Sequence, residues 1–208
     1  KPDRSQSQVI IGARGVGFLD PDYPALAIAN HVFGGGSFSA RLMHEVRAKR
    51  GWRYGAYSSF RSAKKPLYFA MQTIPSNKDT APAIELMLKL FADYAKKGIT
   101  KAEFDFAKKS LINQSAFMQD TMRKRLDNKV SEEILGLPKG FYDKYVDRFR
   151  AVSFAKVNTA IKRKIDANNL FILVLCTADS LRNDLKKMPG ISAVVEKKFN
   201  EEPRERQF

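Results

Sequence analysis

The chain has 208 residues, of which 44% are hydrophobic and 28% are charged, so it is long enough to bury a core, and its composition excludes a disordered or fibrous protein. Its longest uninterrupted apolar run spans only residues 170–176, far short of the roughly 20 residues that cross a bilayer, and its one cysteine, Cys176, excludes an internal disulfide. The 37 basic and 22 acidic residues give a net charge of +15, which taken alone favours an acidic partner such as nucleic acid or a membrane surface.

The first 51 residues are predicted to form one strand and two helices. An apolar strand begins at Gln8, and a largely apolar helix begins after residues 20–22 and ends at the glycines 34–36. A second helix is expected to run to about Lys49 and to end at Gly51. The chain opens without a methionine or an apolar signal sequence, which predicts a processed or excised piece of a longer protein.

The remaining residues are predicted to form a hairpin, a long helical stretch and a late strand. Alternation of period two over residues 52–74, with a turn at residues 64–66, indicates an antiparallel hairpin. Apolar spacing predicts helices between residues 84 and 165, one of them opened by a capping box of Thr100 and Glu103. Residues 170–176 are predicted to form a strand covered on both faces, followed by a short helix and an edge strand at residues 194–195.

This order of elements favours an α+β fold. It lacks the regular βαβ alternation of a doubly wound sheet, so we expect a mostly antiparallel sheet with helices packed on one face. No repeat or low-complexity segment divides the chain. We therefore predict a single domain over residues 1–208, with a peripheral tail from about residue 196.

The sequence predicts no metal site or catalytic nucleophile in this chain. His44 and Glu45 begin a zinc-protease motif, but Ala48 stands where the second histidine is required. The only other histidine, His31, is expected at the end of the preceding helix. Cys176 lies in the most apolar run, where a thiol is usually an inert core residue. The glycines 34–36 predict a helix end and a tight loop, with a phosphate cradle as the alternative.

The positive charge is concentrated in one segment. Residues 41–65 contain eight basic residues and one acidic residue. Over residues 34–60, which overlap it, a glycine loop, a basic helix and a strand with aromatic residues follow one another. We therefore expect the functional surface to lie here.

A specific resemblance lies in the same region. The stretches that carry it are DPDYPA at 20–25, FGGGSFSARL at 33–42 and EVRAKRGWRYG at 45–55. They closely resemble the C-terminal domain of the insulinase/pitrilysin family of zinc metallopeptidases, which includes the mitochondrial processing peptidase. The likeness extends in order over the whole chain.

The resemblance implies a curved antiparallel sheet backed by helices, in a domain that closes like a clamshell on a zinc-bearing catalytic domain or subunit around a peptide. It implies no cofactor in this chain, because zinc belongs to the partner. Arg47 and Tyr54 match a family pair that contacts substrate; a guanidinium and a phenol can both donate hydrogen bonds to a peptide carbonyl. The loop residues Gly34, Gly35, Gly36 and Ser37 resemble a substrate-recognition loop.

The sequence is compatible with three functions. The leading hypothesis is the non-catalytic, substrate-binding half of a zinc metalloendopeptidase, in the bacterial periplasm or, alternatively, the mitochondrial matrix. The second is a structural homologue that kept the fold and lost proteolysis. The third is nucleic-acid binding through the basic segment, which carries no known nucleic-acid motif, so no nucleic-acid partner and no membrane span are expected.

Overall fold

One antiparallel sheet organises the molecule. The computed structural model describes residues 4–52, 55–62 and 66–198. Their strands are β1 (Gln8–Arg14), β2 (Ala56–Ser62), β3 (Pro66–Thr73) and β4 (Phe171–Leu175). The strand order is β2-β3-β1-β4, and every neighbouring pair is antiparallel. The hairpin formed by β2 and β3 confirms the pairing predicted from the alternating pattern.

Eight α-helices accompany the sheet in the described residues. The first two are short and continue as π-helix: α1 (Tyr23–Asn30) into His31–Gly35, and α2 (Arg41–Met43) into His44–Ala48. The others are α3 (Thr80–Lys97), α4 (Lys101–Ser115), α5 (Met122–Leu135), α6 (Tyr145–Arg150), α7 (Phe154–Lys164) and α8 (Arg182–Lys187). The predicted α+β class, with an antiparallel sheet and helices, is confirmed.

The core lies between the sheet and the helices. Alternate residues of β1 are buried on this side, as the period of a strand requires. Phe33 at the end of the first helix stacks on Tyr94 of α3 at 4.5 Å between ring centroids, and Phe69 of β3 stacks on Phe91 of α3 at 5.4 Å. All four rings are essentially inaccessible to solvent, so they fix helix α3 and the end of α1 against the sheet.

The predicted helix signals are present in the structure. Helix α3 buries the apolar face that its sequence predicts, and Gly98 follows it with a φ of 70°. Thr100 and Glu103 form both hydrogen bonds of the predicted capping box at the start of α4. Gly51, with a φ of 66°, follows the π-helical turn as expected. Strand β2 begins only at Ala56, after Gly55, whose φ of 70° interrupts an extended chain.

Two predictions about the last third of the chain are wrong. Strand β4 is at an edge of the described sheet, and Phe171 and Leu173 are more than half exposed, so the strand is not covered on both faces. The Phe171 ring lies over Gly12 of β1, in the space that a side chain on Gly12 would occupy. Residues 191–198 form neither helix nor strand, and Val195 is exposed. Both errors have one cause: an apolar run in the sequence does not show whether another part of the chain packs against it.

Candidate functional site

The glycine loop begins inside the core. Gly34 is buried against β2: a Cβ on it would lie 2.6 Å from the backbone nitrogen of Ser58 and would also overlap the Ser58 Oγ. One turn earlier, the amide of Asn30 donates to the carbonyl oxygen of Ser58 at 3.2 Å, and the Ser58 hydroxyl donates back to Asn30 Oδ1 at 2.6 Å. The loop is therefore anchored to the strand where it leaves the helix.

The next residues bring the loop to the surface. Gly35 is exposed, and Gly36 lies against the carbonyl and the ring of His31. Burial lowers the pKa of His31, so its ring is neutral at pH 7. The backbone of Ser37 starts a single 3₁₀ turn, Ser37–Ser39. The four predicted loop residues therefore form one continuous segment from the core to solvent.

Arg47 projects from the π-helical turn beside this loop. It is exposed, and its guanidinium carbon lies 5.1 Å from the centre of the exposed Phe38 ring, within the range of a cation–π contact. In residues 4–52, 55–62 and 66–198 it has no carboxylate partner. Gly55 packs next to it, since a Cβ there would lie 3.9 Å from Arg47 Cβ. Tyr54, the other member of the predicted pair, lies outside the described residues.

The other described Lys and Arg residues of α2, its π-helical continuation and the turn that follows are paired. Arg41 donates to both oxygens of Glu103, at 2.7 and 2.6 Å, and to the carbonyl oxygen of Gly98. Lys49 and Arg50 both bind the carboxylate of Glu45. Arg47 thus differs from them in having no carboxylate partner in the part of the chain that the structure describes.

These pairs perturb the acids that they neutralise. Burial raises the pKa of Glu103, but the stronger combined effect of the Arg41 guanidinium and the Thr100 hydrogen bonds lowers it to about 2. The Lys49 and Arg50 contacts likewise lower the pKa of Glu45. Both carboxylates are therefore ionised at pH 7 and act as partners of the basic residues.

The residues present do not fit a zinc ion. No group of three or more His, Cys, Asp or Glu side chains that could hold a metal occurs in the described part of the chain. His44 is exposed, and its nearest acid, Glu45, is engaged by Lys49 and Arg50. His31 is buried beside the glycine loop. No step of a reaction is therefore assigned to a metal in this chain.

Two features of the site were not singled out from the sequence. Phe38 was an ordinary aromatic residue, although its place between the glycine loop and the basic helix is a signal that could have identified it. The Asn30–Ser58 pair joins residues 28 apart in the chain, and no local pattern predicts that contact.

None of the helices in the described residues has the length and the apolar character that a membrane span requires.

Comparison with known proteins identifies the family and the fold. Residues 1–111 match the family model described as the peptidase M16 inactive domain. A crystal structure of a peptidase M16 inactive domain from Pseudomonas fluorescens has a TM-score of 0.73 and 27% sequence identity; the match covers 82% of this chain and 41% of that one.

Two curated relatives carry different names. The non-peptidase homolog YmxG of Helicobacter pylori is 28% identical over 177 residues, which are 83% of this chain and 40% of that protein. The uncharacterized zinc protease ML0855 of Mycobacterium leprae is 33% identical over 115 residues, 53% of this chain and 25% of that protein. The chain thus spans two fifths or less of the length of these relatives. The family match covers more than half of the chain and confirms the resemblance seen in the sequence: the chain belongs to the family of peptidase M16 inactive domains.

Proposed function

We propose that this chain is the non-catalytic, substrate-binding half of a zinc metalloendopeptidase. In this proposal residues 1–208 are one domain, and it completes a peptide cavity with a zinc-bearing domain of the same polypeptide or of a second subunit. The chain spans two fifths or less of the length of these relatives, so the rest of a protein of that length can contain such a domain. The zinc is held entirely by that partner.

The observation that carries the proposal is the environment of Arg47. Its guanidinium stacks on an exposed ring beside an anchored glycine loop and has no carboxylate partner in the described residues. Such a group can donate two hydrogen bonds to a peptide carbonyl or carboxylate. We propose that Tyr54 supplies a second donor and that Gly35, Gly36 and Ser37 border the bound peptide. Gly34 would hold their loop close to β2.

The test uses the complete two-half protein and a peptide substrate. Arg47→Ala and Tyr54→Phe should each lower kcat/KM by about 10-fold to 100-fold, since a hydrogen bond to a charged or reacting group is worth on the order of 1.5–3 kcal/mol. Arg50→Ala is the matched control, because Arg50 is already paired with Glu45, and it should change kcat/KM by less than about twofold. Circular dichroism checks that each variant is folded. Equal effects of the Arg47 and Arg50 variants would contradict the site assignment.

One comparison favours a second candidate, a proteolytically inactive structural homologue. The relative that matches 83% of this chain is named a non-peptidase homolog. The two candidates differ in the rest of the protein, because only the enzyme needs a zinc motif there. A complete protein that binds no stoichiometric zinc and cleaves no peptide would establish this second function and reject the first.

A further inference from the structure

A cavity of about 430 Å³ opens between three segments of the chain. Residues 18–24 lead into α1, residues 138–148 run from the end of α5 into α6, and residues 151–156 include the start of α7. The volume lies in the range of cavities that hold small organic ligands. None of the lining residues belongs to the glycine loop or to the basic segment that contains Arg47. The cavity is therefore a second candidate binding site in this chain.

One wall of the cavity contains aromatic rings. The Phe18 and Phe141 rings meet edge to face, with 6.3 Å between their centroids, and Phe18 makes a second edge contact with Tyr23 of α1 at 5.1 Å. Three prolines and the exposed Leu19 add further apolar surface to the lining. An apolar group of a ligand can therefore be buried here.

The loop that carries Phe141 is held by hydrogen bonds within the chain. The buried carboxylate of Glu132 on α5 accepts from the backbone nitrogens of Gly140 and Tyr142, at 3.2 and 3.3 Å. The backbone nitrogen of Phe141 donates to the carbonyl oxygen of Pro138 at 3.0 Å. Because this wall is already ordered, little conformational entropy is lost when a ligand binds.

The charges of the lining favour an anion. Four basic side chains and one acidic side chain line the cavity: Lys139, Lys144, Arg148, Lys156 and Asp20. In the part of the chain that the structure describes, none of the four cations has a carboxylate partner. The carboxylate of Asp20 is already bound by the Nζ of Lys164 at 2.8 Å. The cavity is therefore electrostatically complementary to a negatively charged ligand.

Arg148 is held by packing and not by an acid. Its guanidinium carbon lies 3.6 Å from the centre of the Phe141 ring, and its buried Nε has no hydrogen-bond partner among the described residues. The two acids nearest to it in the sequence, Asp143 and Asp147, contact other cations, at 3.1 and 3.9 Å. Burial lowers the pKa of Arg148. A half-buried guanidinium without a carboxylate partner is an unusual arrangement, since buried charges are normally paired.

A carboxylate attached to an apolar group fits both parts of this lining. A guanidinium binds a carboxylate through two parallel hydrogen bonds, and the exposed lysines around it attract the anion. The rings and prolines accommodate the apolar part. The C-terminal residues of an apolar peptide carry these two groups next to each other.

We propose that this cavity binds the C-terminal carboxylate of an apolar peptide, with Arg148 as the main carboxylate ligand. The rings of Phe18 and Phe141 contact the last side chains of the peptide. The proposal does not depend on the proteolytic function proposed above. A ligand of the size of a dipeptide is expected to bind with a dissociation constant of about 10–100 µM.

Isothermal titration calorimetry of the complete protein with N-acetyl-leucyl-phenylalanine tests the proposal. The matched probe is the same dipeptide with a C-terminal amide, which keeps the apolar part and removes the charge. The acid should bind about 10-fold or more tightly than the amide, because hydrogen bonds between charged groups are the stronger ones. Equal affinities of the two probes would reject recognition of the carboxylate.

Arg148→Met tests the assigned ligand, since it removes the guanidinium and keeps an apolar side chain against Phe141. It should weaken binding of the acid about 10-fold or more and change binding of the amide by less than about twofold. Arg150→Met is the matched control on the same helix. The Arg150 side chain is 65% exposed and does not line the cavity, so this variant should bind both probes as the native protein does. Thermal unfolding checks the fold of each variant, and equal effects of the two would overturn the proposal.

Leu19→Ser tests the apolar part of the cavity. It should weaken both probes about threefold to 10-fold, because it removes apolar contact area. Leu173→Ser on β4 is the matched control, since Leu173 is similarly exposed, at 59% against 52% for Leu19, and lies outside the cavity. Unchanged affinity of the Leu19 variant would contradict the assigned orientation of the peptide.

Two further measurements exclude other occupants. Inorganic phosphate in large excess should not displace the dipeptide acid, because it has no apolar part; full displacement would show a general anion site and reject the peptide. The isolated 208-residue chain should bind the acid as tightly as the complete protein does. Binding by the isolated chain alone would show that the rest of the polypeptide fills the cavity, which would also overturn the proposal.

Discussion

At the scale of single residues, the site depends on how closely the backbone at Gly34 approaches strand β2. Gly34 lies where the end of the first helix meets Ser58 of β2, and the Asn30–Ser58 hydrogen bonds hold that contact. One of the nearest atoms is the backbone nitrogen of Ser58. Rotation of the Ser58 side chain therefore cannot make room for a side chain at Gly34. The position therefore requires glycine for packing.

Gly34→Ala should lower the free energy of unfolding by about 2–3 kcal/mol, since an added methyl group overpacks a buried contact with the backbone of β2. Gly51→Ala is the control. Gly51 has a positive φ but nothing within 4 Å of a Cβ placed on it, so its cost should be about 1 kcal/mol from backbone conformation alone. Urea denaturation of both variants measures the difference. If both variants lose the same free energy of unfolding, β2 moves aside and Gly34 is not tightly packed against it.

At the scale of elements, a contact between α2 and α4 joins the site to the rest of the molecule. Glu103 closes the capping box of α4 and also binds Arg41, the first residue of α2. The Arg41–Glu103 ion pair thus helps to attach the basic helix that carries Arg47 to α4. The ionised Glu103 carboxylate therefore stabilises the contact between α2 and α4.

The pH dependence of stability should report this contact. The pKa of Glu103 is lowered to about 2 in the folded protein, against about 4.3 for a free glutamate. Its contribution is therefore fully present above the unfolded pKa and is lost as the pH falls from about 4.5 towards 2. Because the carboxylate is partly exposed, the contribution is about 1–2 kcal/mol. Glu103→Gln should remove it at pH 7 and flatten the profile below pH 5 in chemical denaturation, whereas Asp105→Asn on the exposed side of α4 should leave the profile unchanged.

Elements defined by local chemistry could be predicted from the sequence, and contacts between distant segments could not. The capping box at Thr100 and the apolar face of α3 follow from residue spacing. The exposure of β4 depends on whether another layer lies over Leu173, and nothing in the run 170–176 encodes that. Within the site, Arg47 was identified by resemblance and not by physical pattern. Its distinguishing feature is that, among the described residues, it has no carboxylate partner, whereas Arg41 is bound by Glu103, 62 positions away; no local pattern predicts such a contact.

At the scale of the whole molecule, the excess positive charge is spread over surfaces with different roles. In the basic segment Arg41, Lys49 and Arg50 are bound by carboxylates of the same chain. Many of the other cations lie on exposed helix faces in pairs with acids one turn away, such as Lys97 with Asp93. Such pairs are worth little and need no external partner. Three described cations of the basic segment are therefore neutralised within the chain, which weakens the argument for nucleic-acid binding at that segment.

The last prediction concerns the chain as a whole and its zinc content. A tight zinc site needs three or four converging nitrogen, sulfur or oxygen ligands, and the two histidines, His31 and His44, have no such set of neighbours in the described residues. The purified 208-residue chain should therefore bind less than stoichiometric zinc after dialysis, as measured by mass spectrometry of the metal, and should cleave no peptide. Replacement of both histidines by glutamine should leave the residual zinc unchanged. If the native chain retains one zinc per molecule and the double variant loses it, the assignment of the metal to a partner domain is wrong.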